Sequence, residues 1–154
     1  MGDVRQQGQA QRSGRPSPGT PVIVDVFASR DSDGSIQFSH EWRFQGGNSQ
    51  GGGDIDIPAK KRMEPGTTIH FHLRDDTRML RFSPQPDDAI WVDRIGCPQQ
   101  ATTDPEITDI RPSPNLLTIH DENRDECDLH YNLRFEPDPD RYCYDPTIKN
   151  GGSI

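Results

Sequence analysis

Two histidines one residue apart, His70 and His72 in TTIHFHLRDDTRMLRF (residues 67–82), come closest in type and spacing to metal chemistry. On a strand, alternate side chains share a face and stand about 7 Å apart. His-x-His is a spacing that zinc and copper sites use. His130, in LHYNLRF, has the same polar parity, so neighbouring strands would bring three imidazoles together. Against this, outer sheet faces carry polar residues of every kind, and no paired cysteine ligands accompany the imidazoles. Arg74, Arg78 and Arg81 make the neighbourhood cationic, while Asp75 and Asp76 fall in the following turn. The expectation is a hairpin with solvent-facing histidines, no metal and no cofactor. Zinc or copper on His70, His72 and His130 is the alternative.

Other chemistry finds less support. A mononuclear blue-copper centre needs a thiolate and two imidazoles, but Cys97-Pro98-Gln99-Gln100 is followed by neither His nor Met, and Cys143 has neither. His40 alternates with Phe38, Trp42 and Phe44, which reads as a hydrogen-bonded core histidine. Asp31-Ser32-Asp33-Gly34 lacks the distal glutamate of a calcium loop and reads as a hairpin turn. The acids Asp121, Glu122, Asp125, Glu126 and Asp128 read as a solvated loop rather than a calcium site. Asp54 and Asp56 share a strand face, but spacing in one sequence does not establish a glycosidase pair. No serine sits in a nucleophile elbow, and no glycine-rich loop runs from strand to helix to cradle phosphate. The residues point away from an enzyme.

The elements that must position these residues are strands. PVIVDVFAS places Val22, Val24 and Val26 on one face, and QFSHEWRF, DIDIP, TTIHFHLR, AIWVDRI, EITDI and NLLTIHD continue in short extended segments. ECDLHYNLRF alternates most cleanly, with Cys127 sharing the parity of Leu129, Tyr131, Leu133 and Phe135, so a buried, inert thiol is expected there. No window has helical periodicity. About eight short strands predict an all-β antiparallel sandwich of immunoglobulin-like or cupredoxin-like type. Leu, Ile, Val and Phe number 29 of 154 residues, a proportion bordering on that of disordered chains, so the alternation is what decides for folding. Residues 1–19 are Gln, Gly, Arg, Ser and Pro and predict a disordered arm, leaving 20–154 as a single domain. The whole chain carries −8 and that arm +2, which leaves −10 on the body. So acidic a body repels phosphate and excludes non-specific nucleic-acid binding. No apolar run is long enough for a membrane span, and no signal-peptide core follows Met1. The expected location is cytoplasmic with reduced thiols, although pairing of Cys97 with Cys143 stays open.

PGTTIHFHL resembles a strand of cupredoxin-like and immunoglobulin-like sandwiches. Over roughly the last forty residues, Glu136-Pro137 followed by Asp145-Pro146, Ile148 and Asn150 resembles a group of small bacterial DP-EP proteins. That resemblance implies an uncharacterised bacterial β-domain and brings no activity, cofactor or site residue. Pro137, Pro139 and Pro146 cannot donate ladder hydrogen bonds, so the C-terminal segment reads as a clasp, with Tyr142, Tyr144 and Ile148 folding over the open end. The expected function is a non-enzymatic interaction or self-assembly module, binding a protein partner or a second copy. Trp91, out of phase with Ile90 and Val92, is the interface candidate.

Overall fold

The run VIVDVFASR folds as β1 (Val22–Arg30), with Val22, Val24 and Val26 fully buried. The computed structural model describes residues 16–139 and 146–154. A turn in which Gly34 takes a φ of 90° leads into β2 (Ile36–Phe44), so Asp33-Gly34 closes a hairpin. The remaining strands are β3 (Ile55–Ile57), β4 (Thr67–Asp75), β5 (Arg81–Phe82) and β6 (Ile90–Asp93). They continue with β7 (Ile107–Pro112), β8 (Leu116–Asp121), β9 (Glu126–Leu133), β10 (Phe135–Glu136) and β11 (Thr147–Gly151). One helical turn, α1 (Pro86–Ala89), starts on Pro86, where a missing N–H costs nothing.

Five strands form one sheet in the order β2-β1-β4-β8-β7, four form a second in the order β3-β11-β9-β6, and β10 pairs with β5 in a short ribbon. Inward residues of the two larger sheets meet in one core, where Phe71 of β4 packs on Tyr131 of β9 at 5.4 Å between ring centroids. The fold is all-β and sandwich-like, but its sheets are mixed rather than purely antiparallel. β4 lies parallel to β1, and β11 lies parallel to β3. The chain leaves β2, contributes β3 to the other sheet and returns beside β1, and such a crossover delivers a parallel neighbour.

The hairpin expected over residues 67–82 does not form. Both edges of β4 are taken, by β1 and β8. The Asp75 carboxylate accepts hydrogen bonds from the backbone N–H groups of Thr77, Met79 and Leu80, at 2.8, 2.9 and 2.7 Å. That curl turns the chain away from β4, and Arg81–Phe82 pairs with Glu136 and Phe135 instead. The C-terminal segment also departs from expectation. Ile148 is not part of a lid: β11 is an internal strand between β3 and β9, and Ile148 is fully buried. Tyr142 and Tyr144 lie outside the described residues. Of the arm expected over residues 1–19, the described part, 16–19, forms a turn in which Thr20 N–H donates to the Ser17 carbonyl at 3.1 Å. Cys97 is disulfide-bonded and Cys127 is a free thiol, while Cys143 lies outside the described residues.

Candidate functional site

The register of the four-stranded sheet builds the site. Cys127, Asn150 and Ile57 stand side by side across β9, β11 and β3, and Asp128, Lys149 and Asp56 form the next row. Residues one apart on a strand point to opposite faces, so the first row turns toward the core and the second toward solvent. Lys149 Nζ lies 3.3 Å from Asp128 Oδ2 and 4.0 Å from Asp54 Oδ2. Across from these rows, β2 contributes Trp42 and Phe44, packed edge to face at 5.4 Å. The glycine-rich stretch after β2, residues 45–53, folds back on that strand: Gln50 N–H donates to the Trp42 carbonyl, and Trp42 N–H donates to the Gly51 carbonyl. It thereby occupies backbone groups that an edge strand leaves open.

Between these walls runs a groove of about 870 Å³, lined in part by Trp42, Phe44, Asp56, Glu126, Lys149 and Asn150. Its volume lies in the range of ligand pockets, roughly 300–1,000 Å³. Cys127 and Asp128 also face it. Asp56, Glu126, Asp128 and Lys149 share the outward parity, so their charged groups lie on the solvent face of the four-stranded sheet beside the groove, and among the described residues neither Asp56 nor Glu126 is paired with a cation. Burial pushes the Cys127 thiol up to about 11, and the nearby Glu106 carboxylate adds to this against the opposing charge of Arg94. Near neutral pH the sulfur is a protonated thiol, the unreactive form. The sequence expectation of a buried cysteine is corrected in degree: Cys127 is half-buried.

Beneath the groove lies a polar network inside the core. Asn150, only 3 % exposed, donates from Nδ2 to Asp121 Oδ1 at 2.8 Å, and the same oxygen accepts from Asn123 N–H at 3.0 Å. Asp121 Oδ2 and Asn150 Oδ1 are buried with no hydrogen-bond partner. Asp121 is fully buried, and desolvation raises its pKa to about 7, with the carboxylates of Glu106 and Asp104 pushing the same way. Asn123 fastens the neighbouring segments, donating to the Pro58 carbonyl at 3.0 Å and accepting from Gly152 N–H at 2.8 Å. Glu106, 2 % exposed, accepts from the N–H groups of Arg124 and Asp125 at 3.0 and 2.6 Å.

The residues singled out in the sequence do not converge. His70 and His72 stand on the five-stranded sheet and His130 on the four-stranded one, so the three imidazoles belong to opposite layers. Each of two imidazoles is held by a threonine hydroxyl, His70 by Thr118 at 3.0 Å and His130 by Thr147 at 3.2 Å. Burial, followed by the charge of Arg74, holds His72 below the usual imidazole range. Among the described residues no group of three or more His, Cys, Asp or Glu is arranged to hold a metal ion. His40 is buried as expected, with Nε2 3.0 Å from the Gly53 carbonyl oxygen. Trp91 is not a free surface aromatic. It is half-buried, and the Arg134 guanidinium covers its ring at 4.1 Å from the centroid. The acidic stretch 121–128 is split: Asp121 is interior, while Asp125, Glu126 and Asp128 are exposed.

Compared with protein-family models and with curated proteins, the chain matches none. Reading along the chain missed Asp121, Glu106 and Lys149 as members of one region. One signal pointed to the C-terminal part of it. Thr147-Ile148-Lys149-Asn150 alternates like a strand, but the prolines before it suggested that strand formation had ended.

Proposed function

We propose that this chain is a non-enzymatic interaction module that seats a segment of a partner protein in the groove between β2 and the β3–β11–β9 face. The observation that carries this is the groove itself, a concave site of about 870 Å³ with an aromatic wall of Trp42 and Phe44. Self-assembly is the case in which the segment comes from a second copy. The state of Cys127 supports binding over catalysis: the thiol in the groove is held protonated by burial. No helix among the described residues is long and apolar enough to cross a membrane. The expected cytoplasmic location assumed reduced thiols, and the disulfide at Cys97 favours an oxidising compartment instead.

The test fills the groove. Ala59 is exposed and lines it, so Ala59→Trp adds bulk without touching the core. Linear peptides displayed on phage are selected on the full chain and then offered to the variant. Selected peptides that lose binding to Ala59→Trp support the module. Peptides that bind both proteins equally would place the interaction elsewhere.

A further inference from the structure

We propose that Asp121 and Asn150 form a carboxylic acid–carboxamide pair closed by one proton on Asp121 Oδ2, and that this proton latches the segment 150–154 to the core. Two planar groups meet inside the protein, a carboxyl on a residue 0 % exposed and an amide on a residue 3 % exposed. Asn150 Nδ2 donates to Asp121 Oδ1 at 2.8 Å, which joins one side of the pair. The other atom of each group, Asp121 Oδ2 and Asn150 Oδ1, is buried without a partner. Both are oxygens, and an ionised carboxylate and an amide carbonyl offer only acceptors there. An unmet buried acceptor has lost its water and gained nothing in return. A proton on Oδ2 donates to Asn150 Oδ1 and satisfies both atoms at once, turning one hydrogen bond and two orphans into a cyclic pair.

The surroundings favour the neutral acid. After burial itself, the carboxylates of Glu106 and Asp104, on the segment leading into β7, push Asp121 that way. Guanidiniums already hold those two: Arg94, after β6, lies 2.7 Å from Asp104, and Arg124 lies 3.5 Å from Glu106. The register partners of Asp121 on β4 and β7, Thr67 and Ile107, are uncharged, and Cys127 on β9 is a protonated thiol. Glu126, Asp128 and Lys149 carry their charges on the outward face. Lys60, after β3, shares a small pocket with Asn123 and brings the opposing charge.

The pair holds a strap that follows the buried Ile148. Gly152 N–H donates to Asn123 Oδ1 at 2.8 Å, Ser153 N–H to the Arg124 carbonyl at 2.9 Å and Ile154 N–H to the Lys60 carbonyl at 2.9 Å. Gly151 runs so close to the Ala59 backbone that a Cβ would collide with it. Asn123 N–H in turn donates to Asp121 Oδ1, so strap and carboxyl share one network. When the acid O–H bond breaks and its proton passes to solvent, a full charge remains on an enclosed group. Opening the strap is a local, sub-global route by which water reaches it. The latch is therefore closed below the titration of Asp121 and loosens above it. It is a property of the fold and holds whatever the groove binds.

The experiment follows the carboxyl and the strap separately in the full chain. Carbon NMR of the Asp121 carboxyl, with the Asn150 side-chain amide signals, gives the midpoint. Amide hydrogen exchange of residues 150–154 gives the opening, with Asp121→Asn at the same pH as reference. In that variant an N–H₂ replaces the acid O–H, so the cycle stays closed at every pH. Asp121 is expected to titrate at about pH 7, with the Asn150 amide moving at the same midpoint. With an ordinary value of 3.8 in the open strap, opening of wild type should rise about a hundredfold relative to the variant between about pH 5 and about pH 8. Titration of Asp121 in the ordinary carboxylate range would overturn the pair in favour of an ionised Asp121 bridged to Asn150 by water. An Asn150 amide that ignores the Asp121 midpoint would overturn it too. Titration near neutrality with strap exchange that tracks the variant at both pH values would overturn the latch. If Asp121→Asn fails to fold, wild-type exchange corrected for the intrinsic pH dependence of amides reads the same rise, and its absence overturns the latch.

Discussion

Replacing Asp121 by asparagine should stabilise the protein at neutral and higher pH, an unusual outcome for a change in a core. Asp121 is 0 % exposed, and its pKa rises from an ordinary 3.8 to about 7, chiefly because burial penalises the charged form. In the unfolded chain the carboxyl ionises near its ordinary value, while the native state keeps the proton until about pH 7. Stability from this group is therefore complete at low pH, declines from about pH 4 to about pH 7, and stays low above that. The gap between 3.8 and about 7, at about 1.36 kcal/mol per pH unit, sets an upper limit near 4 kcal/mol. Asparagine has no charge to desolvate. It keeps an oxygen for the donors on Asn150 and Asn123, and it puts an N–H₂ where Oδ2 now has no partner. The assay is urea unfolding of wild type and Asp121→Asn at about pH 5 and about pH 8, because differences between the two proteins cancel the titration of all other groups. The variant should gain on wild type as pH rises, by up to about 4 kcal/mol at the upper end. An equal loss of stability at both pH values would show that the buried carboxyl contributes through its hydrogen bonds and not through its ionisation, and would refute the reasoning.

Three further outcomes follow from the geometry. Cys127, held up to about 11 by burial, should alkylate with iodoacetamide at least about tenfold more slowly than a free thiol near neutral pH, read by mass spectrometry of the native protein; a rate matching the unfolded chain would mean that the thiol is not held protonated. Phe71→Ala removes a fully buried ring packed on Tyr131 and should cost about 3–5 kcal/mol in chemical denaturation; a loss below about 1 kcal/mol would mean that the two sheets do not share this contact. Gly66→Ala would press a new Cβ into the Asp121 carbonyl oxygen and the Glu122 backbone, so the backbone must shift. A melting temperature equal to wild type would show that this approach is looser than the structure has it, since such overpacking costs about 1–3 kcal/mol.

Alternation along the chain determined which residues become strands and which face they bury. Val22, Val24 and Val26, then Ile69, Phe71 and Leu73, then Leu129, Tyr131 and Leu133 all face the core, because a period of two is a local property that survives in any register. The Asp33-Gly34 turn was equally legible, since a left-handed glycine is a local requirement. Pairing partners were not, because they depend on which edges remain open once other strands have docked. Residues 81–82 were therefore read as β4's partner, although both edges of β4 are taken and Asp75 redirects the chain. For the same reason His130 was grouped with His70 and His72, when parity matched and only the layer differed. Asp121 belonged by composition to an acidic run, and nothing local distinguishes an aspartate that will be enclosed from one that stays wet. Only the tertiary fold, bringing Asn150 of the C-terminal strand against the end of β8, made that carboxylate an interior group. It also placed Lys149 among acids from β9 and the β3 region, and this juxtaposition exists only once three distant segments share a sheet.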